Sequence, residues 1–368
     1  MACSLEKKME SLRLKKIGWG FGLCNMNCEH CYNRSSSENS IPRYTLGQLI
    51  DVADKICPHI RDINFGSGEL ACNPNAIELV HYITDKYPHI DLAVTSNGYT
   101  IVKMDLIDIK RRLSDVDVSI DFPDAERHNA FRRHPQAWEW AIRALEILNE
   151  VRMQRTVTMC VTNRVSNEDL VGMLKLADRY GACLRLNWYR HTGRGSESLR
   201  LSAERAWQIV EFLSDKAVFS CLDSIFAGPM GVRSKPCPGA RSSARIHQDM
   251  NVTACPFLQG SQWSAGNILD PAVDLVKVYN SEAFKRLRNR KVPYCDGCKF
   301  SSSCAGGCIS RAILHNGGVC EVDDYCPVRY KQMRVVEKAQ QKIVVHKHGN
   351  LVHEGYLCTT IIKPYAGI

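Results

Sequence analysis

Cys24, Cys28 and Cys31, in the segment FGLCNMNCEHCYN, are spaced so that three thiolates from one loop can face a single iron–sulfur cubane. A second block, Cys295 to Cys326, lies far downstream and holds Cys295-x2-Cys298-x5-Cys304-x3-Cys308. The chain has 18 cysteines in 368 residues. A disulfide scaffold would be short and would carry a secretory signal, but the first twenty residues mix charged and apolar types. Clustered cysteines at short spacings therefore point to metal. A zinc site is the alternative chemistry, although C-x2-C pairs suit zinc better than CxxxCxxC does.

The remaining composition is that of an ordinary globular chain, 45% hydrophobic and 24% charged. No run of about 18 apolar residues is present, so no membrane span is expected and the reading is a cytoplasmic protein. The net charge of +9 is scattered. Its densest stretch, KRLRNRK at 285–291, reads as a solvated helix face ahead of a cysteine loop rather than a nucleic-acid patch.

Holding three thiols on one loop requires a rigid frame. Strand-like segments at 14–21, 61–66, 89–95, 116–122, 154–162 and 183–189 alternate with helical ones. Thr45 and Gln48 form a capping box ahead of the apolar face Leu46, Leu49, Ile50, Ala53 and Ile56. Trp138, Ile142, Leu145 and Leu148 mark another helix, and Ser166 with Asp169 opens a third that Gly181 is placed to end. Six βα units in series give an α/β chain with a parallel sheet, either doubly wound or a full or partial barrel. Past residue 215 the alternation stops, and Gly, Ser, Pro and Cys become frequent. The expected segments are 1–216, a cysteine-rich 217–335, and a tail, 336–368. The tail shows a helical start, a turn at 348–350 and a strand at 356–363.

The CxxxCxxC loop after a first strand resembles that of the radical S-adenosylmethionine (radical SAM) enzymes. The downstream block resembles the SPASM extension that carries auxiliary clusters in part of that superfamily. The resemblance implies a partial (β/α)6 TIM-like barrel followed by a small cysteine-rich SPASM domain, with functional groups at the C-terminal ends of the strands. It implies that Cys24, Cys28 and Cys31 hold a [4Fe–4S] cluster whose open iron binds SAM, which is cleaved reductively to a 5′-deoxyadenosyl radical. Gly66, Ser67, Gly68 and Glu69 take the place of the family's GGE-type motif at the SAM amino group, with Ser67 replacing a common Gly. Tyr32 resembles the aromatic near the adenine. Ser119 and Asp121, in VSIDFPD, match residues facing the ribose and the substrate, with Phe122 where the family often has Gly. Arg132, or its neighbour Arg133, resembles the arginine that pairs with the SAM carboxylate. Asn187 and Arg185 on the sixth strand are further candidates.

By the same resemblance, Cys295, Cys298, Cys304 and Cys326 hold an outer auxiliary cluster. Cys237, Cys255 and Cys308 hold an inner one, with Cys221 the candidate fourth ligand and Met250 standing where the pattern has Gly. Without Cys221 the inner cluster would keep an open iron. Cys320 competes with Cys326 for the outer site or, left over, is a candidate hydrogen-atom donor to a substrate radical. Cys3, Cys57, Cys72, Cys160, Cys183 and Cys358 fit no cluster pattern, and most of them read as small buried hydrophobes.

The expected activity is that of a radical SAM oxidoreductase or epimerase that takes a hydrogen atom from an unactivated C–H bond, supplied by an electron donor such as flavodoxin or ferredoxin. A ribosomally made peptide is the first substrate expected, for crosslinking, dehydrogenation or epimerisation. Only 23 residues precede Cys24, which leaves no room there for a leader-peptide-binding domain. A sugar or aminocyclitol, an RNA substrate and a non-enzymatic zinc module are the alternatives. Thiolate-bound clusters are oxidised by air. Anaerobically purified chain should therefore show an iron–sulfur charge-transfer band that bleaches on exposure to oxygen; a colourless preparation would favour zinc.

Overall fold

A computed structural model describes residues 13–38, 40–232, 236–346, 351–353 and 359–368. All six expected strands form: β1 Lys16–Trp19, β2 Asp62–Phe65, β3 Asp91–Ser96, β4 Asp115–Ser119, β5 Arg155–Val161 and β6 Cys183–Trp188. They pair in parallel in chain order, with Ile17 opposite Ile63, Ile63 opposite Leu92, Val94 opposite Val116, Val118 opposite Val157, and Val157 opposite Leu184. These residues are buried because helices cover the outer face and the curl of the sheet encloses the inner one. The expected helices also form, at Leu46–Ile56, Ala137–Glu150 and Asn167–Arg179. Both capping boxes, Thr45 with Gln48 and Ser166 with Asp169, are made, each worth about 1 kcal/mol.

The sheet does not stop at the sixth strand. Among the described residues, β7 Ala217–Cys221, β8 Ser243–Ile246, β9 Val252–Thr253, β10 Val344–Val345 and β11 Thr360–Pro364 complete eleven strands in the order β10-β7-β11-β6-β5-β4-β3-β2-β1-β8-β9. Strands from both sides of residue 216 thus share one open, curled sheet. Of these additions, β9 and β10 are two residues long, too short for a period-two pattern to register in sequence. In the tail, the helix is Met333–Gln340, and Val344–Val345 is strand where a continuing helix was expected. The expected turn at 348–350 lies outside the described residues except for its surroundings. The expected strand at 356–363 is observed from Thr360, antiparallel and wedged between β6 and β7. Among the described residues, no helix is long and apolar enough to cross a membrane.

An aromatic cluster fastens the cysteine-rich part to the barrel. Phe226 packs 4.6 Å from Trp188 and 5.0 Å from Trp207, ring centre to ring centre, and Trp207 Nε1 donates to Tyr325 O at 2.9 Å. The basic stretch 285–291 is the solvated face expected in part: Arg286, Asn289 and Lys291 are exposed, whereas Arg288 and Arg290 turn their guanidiniums onto backbone. Arg288 donates to the carbonyls of Ala240 and Tyr279, Arg290 to those of Ala305 and Gly307, and Arg286 stacks on Trp263.

The tail also plugs the barrel interior. His353 is fully buried, with Nδ1 2.5 Å from Asp115 Oδ1 and 3.3 Å from Asp117 Oδ1. Its Nε2 is within hydrogen-bond distance of Asn64 Oδ1 and Thr95 Oγ1, at 3.0 and 3.1 Å. Arg185 closes the set from β6 onto Asp117. Removing one member leaves buried carboxylates short of a partner. His353→Ala should therefore destabilise the fold by about 3 kcal/mol, read as a lower urea midpoint; an unchanged midpoint would mean the plug is incidental.

Candidate active site

The C-terminal ends of β1–β6 converge on a cavity of about 190 Å³. Cys24, Cys28 and Cys31 line one side of it, on the loop that leaves β1. Three contacts fix that loop. Gly68 has φ +71°, and a Cβ there would lie 2.5 Å from Leu23 O and 2.8 Å from Gly22 N, so the turn after β2 packs backbone to backbone on the cysteine loop. Arg194, in the loop after β6, donates through Nε to Cys28 O at 3.0 Å and through its main-chain N–H to Cys31 O at 2.8 Å. Glu29 pairs with Arg164 at 2.8 Å.

The three thiols are reachable from the cavity but walled by protein. Desolvation raises Cys24 far above the usual thiol range and lifts Cys28 to about 11, the Arg132 guanidinium opposing the rise at Cys28. Two of these sulfurs accept backbone N–H groups, Met26 N on Cys24 and Ser35 N on Cys31, both at 3.4 Å. Three clustered thiols, N–H donors to sulfur and an adjoining cavity fit a [4Fe–4S] cluster, which Cys24, Cys28 and Cys31 would hold.

The turn at 66–69 borders the same cavity. Ser67 has φ +83°, the left-handed region that favours glycine, which accounts for the Gly common at this point of the motif. Its hydroxyl bonds the Tyr32 hydroxyl and accepts from Arg245 Nη2 at 2.5 Å. Glu69 is 1% exposed and accepts from Ser96 Oγ at 2.5 Å and from the backbone of Asn97 and Thr100 at 2.8 Å each; burial nonetheless raises its carboxyl.

Opposite the turn lie Ser119, Asp121, Arg132 and Asn187. Arg132 Nε donates to Asp121 Oδ2 at 2.8 Å, and Asp121 Oδ1 accepts from Cys160 N at 2.9 Å. Burial alone would push Asp121 up, yet Arg132, His30 and His128 hold it down at about 2. Arg133 takes no part: it is exposed at φ +52°, capping the helix Ala125–Arg132. Phe122 turns into the core against Phe131 at 5.4 Å, so the loss of the family's Gly does not crowd the cavity. Asn187 Nδ2 donates to Thr158 Oγ1 at 3.0 Å, and Arg185 is committed to Asp117.

Several lining residues escaped the sequence reading. His30 sits between two ligand cysteines, stacked 4.5 Å from Phe131, and burial lowers its imidazole to about 4. Its position inside CxxxCxxC was a usable signal. Arg245 on β8 reaches Gly66 O from outside the first six strands, which no local pattern betrays. Cys160, expected to be a buried hydrophobe, lines the cavity at the end of β5, and burial first and Asp121 second push its thiol far up.

Two smaller cavities are lined by seven further cysteines. Cys237, Cys255 and Cys308 line the inner one; burial, then the neighbouring Cys308 and Cys237, raise Cys255 to about 12. Cys295, Cys298, Cys304 and Cys326 line the outer one. Cys221 is not brought to the inner cavity: it ends β7 with Sγ 3.7 Å from Thr359 O. Cys320 is exposed and borders none of the three cavities. Met250, at the Gly position of the SPASM pattern, has φ +62° and is fully buried. Cys57 is buried, Cys72 and Cys183 are half-buried, and Cys3 and Cys358 lie outside the described residues.

The family model for the radical SAM superfamily matches residues 21–177. The mycofactocin maturase MftC of Mycobacterium ulcerans is 30% identical over 305 residues, covering 78% of this chain and 80% of that protein. The AdoMet-dependent heme synthase of Methanosarcina barkeri is 27% identical over 342 residues, covering 83% and 94%. Among solved structures, Streptococcus suis SuiB bound to S-adenosylmethionine superposes with a TM-score of 0.67 at 14% identity, covering 88% of this chain and 80% of that one; SuiB bound to precursor peptide SuiA gives 0.66 at 15%. With its cysteine loop, its curled parallel sheet and these relatives, the chain belongs to the radical SAM superfamily, in the SPASM-type subgroup.

Proposed function

We propose that this protein oxidatively modifies a ribosomally made peptide, joining or desaturating side chains after removal of a hydrogen atom. The observation that carries the reading is the placement of the main cavity. Cys24, Cys28 and Cys31 border it on one side, and a wall formed by Arg190 and Phe257 separates it from Cys237, Cys255 and Cys308 on another. A substrate there would lie between a radical source and an electron acceptor, which suits net oxidation better than redox-neutral epimerisation. When bound, the cluster and SAM supply the one-electron chemistry that makes an unactivated C–H bond reactive.

The chain's own residues bind, orient and shield. Cys24, Cys28 and Cys31 would hold the cluster. Gly66, Ser67, Gly68, Glu69, Tyr32, Ser119, Arg132 and Asn187 would hold SAM, with Arg245 bracing the turn at 66–67. Asp121, kept ionised by Arg132, would orient substrate donors instead of serving as a base. Cys237, Cys255 and Cys308 would hold an inner auxiliary cluster. Cys295, Cys298, Cys304 and Cys326 would hold an outer one, the two carrying an electron away from the oxidised substrate, while an electron donor such as flavodoxin or ferredoxin would supply the electron that SAM cleavage consumes.

The peptide assignment is supported by the maturase relatives and by SuiB, solved with its precursor peptide. A small-molecule substrate is the second reading, favoured by the heme synthase relatives. The deciding experiment compares peptides and metabolites by mass spectrometry from the source cell with and without the gene. A peptide that loses two hydrogens only when the gene is present is the expected result; a changed small molecule with no changed peptide would select the second reading. Cys160 supplies an internal check, as the S–H bordering the cavity outside the ligand set. Cys160→Ala should leave an oxidative activity within about threefold of wild type, because net oxidation needs no hydrogen-atom donor. Complete loss, with iron content unchanged, would point to epimerisation.

A further inference from the structure

Arg190 and Phe257 line both the main cavity and the inner cysteine cavity. Arg190 follows β6 and is 3% exposed. Its Nη2 donates to Cys308 Sγ at 3.3 Å, its Nε to Ser310 Oγ at 3.0 Å, and its Nη1 to Trp188 O at 2.7 Å. The guanidinium also stacks over Phe257 at 4.5 Å. The carboxylate of Asp223 is 3.7 Å away and lies closer to Arg311, at 2.8 Å. A planar fork held by two oxygens and a ring keeps one N–H aimed at sulfur, a geometry that lysine's single flexible ammonium does not reproduce. Ser310 Oγ lies 3.1 Å from the same sulfur, so Arg190 and Ser310 form one small network around Cys308.

Hydrogen bonds to ligand sulfur and nearby charge are what set the potential of a thiolate-held cluster, since the reduced state carries one more negative charge. We propose that Arg190 is a positioning residue that raises the reduction potential of the inner auxiliary cluster through its charged N–H···S bond to Cys308. The inference rests on the reading of Cys237, Cys255 and Cys308 as cluster ligands. It makes the wall beside the substrate cavity an electrostatic element that favours electron acceptance on its far side.

The test is an EPR-monitored redox titration of the full-length, anaerobically reconstituted protein as wild type, Arg190→Met and Arg190→Lys, with iron counted in each. The expected result is unchanged iron, with the reduction equilibrium of one auxiliary signal weakened at least tenfold in Arg190→Met, about 59 mV for one electron, and Arg190→Lys in between. Unchanged iron with an unchanged potential in Arg190→Met would overturn the inference, as would loss of about four irons in both variants, because Arg190 would then be structural. The underlying reading fails separately: wild-type iron of about eight, unaffected by Cys255→Ala, would mean that no inner cluster exists.

Discussion

Backbone packed against backbone, where the turn after β2 meets the cysteine loop, is the contact on which the rest of this site depends. Gly68 leaves no room for a side chain between the two segments, and Glu69 N donates to Leu23 O at 2.8 Å across the same seam. The loop that would hold the cluster and the turn that would hold SAM are thereby one rigid unit. Side chains arriving from elsewhere tighten that unit: Tyr32 and Arg245 converge on Ser67, and Arg194 grips two loop carbonyls. Each is a hydrogen bond of ordinary strength. Together they fix the loop in one arrangement, which lowers the ordering cost of assembly.

Much of this was legible in the sequence because the signals are local. Three thiols within eight residues, capping boxes three residues apart and apolar strands of four to seven residues each report on their own neighbourhood. Even the departures from the family's motifs were readable once backbone angles were known. Ser67 and Met250 both take the left-handed conformation that glycine would take freely, and Arg133 is singled out from Arg132 by the same geometry.

What stayed hidden depends on contacts far apart in the chain. Arg245 reaches Ser67 across 178 positions, Arg190 reaches Cys308 across 118, and His353 reaches Asn64 across 289. No periodicity encodes such pairs. Cys160 was misread for a related reason: its alternation on β5 marks it as facing inward, but only the assembled sheet shows that inward means a cavity. The exposed Cys320 had the opposite fate, singled out because it was left over rather than because anything surrounds it.

The position of β11 sets an order on how this molecule is made. β6 and β7 do not touch as neighbours; β11 lies between them, yet it follows every other strand in the chain. During synthesis, the cysteine loop and β1 to β6 emerge long before the strand that seals their far edge and the His353 plug beneath their floor. Such late, long-range closure is slow compared with local helix and hairpin formation. The nascent chain therefore carries Cys24, Cys28 and Cys31 on an unfinished sheet, and the order in which iron arrives and β11 docks becomes part of the protein's maturation.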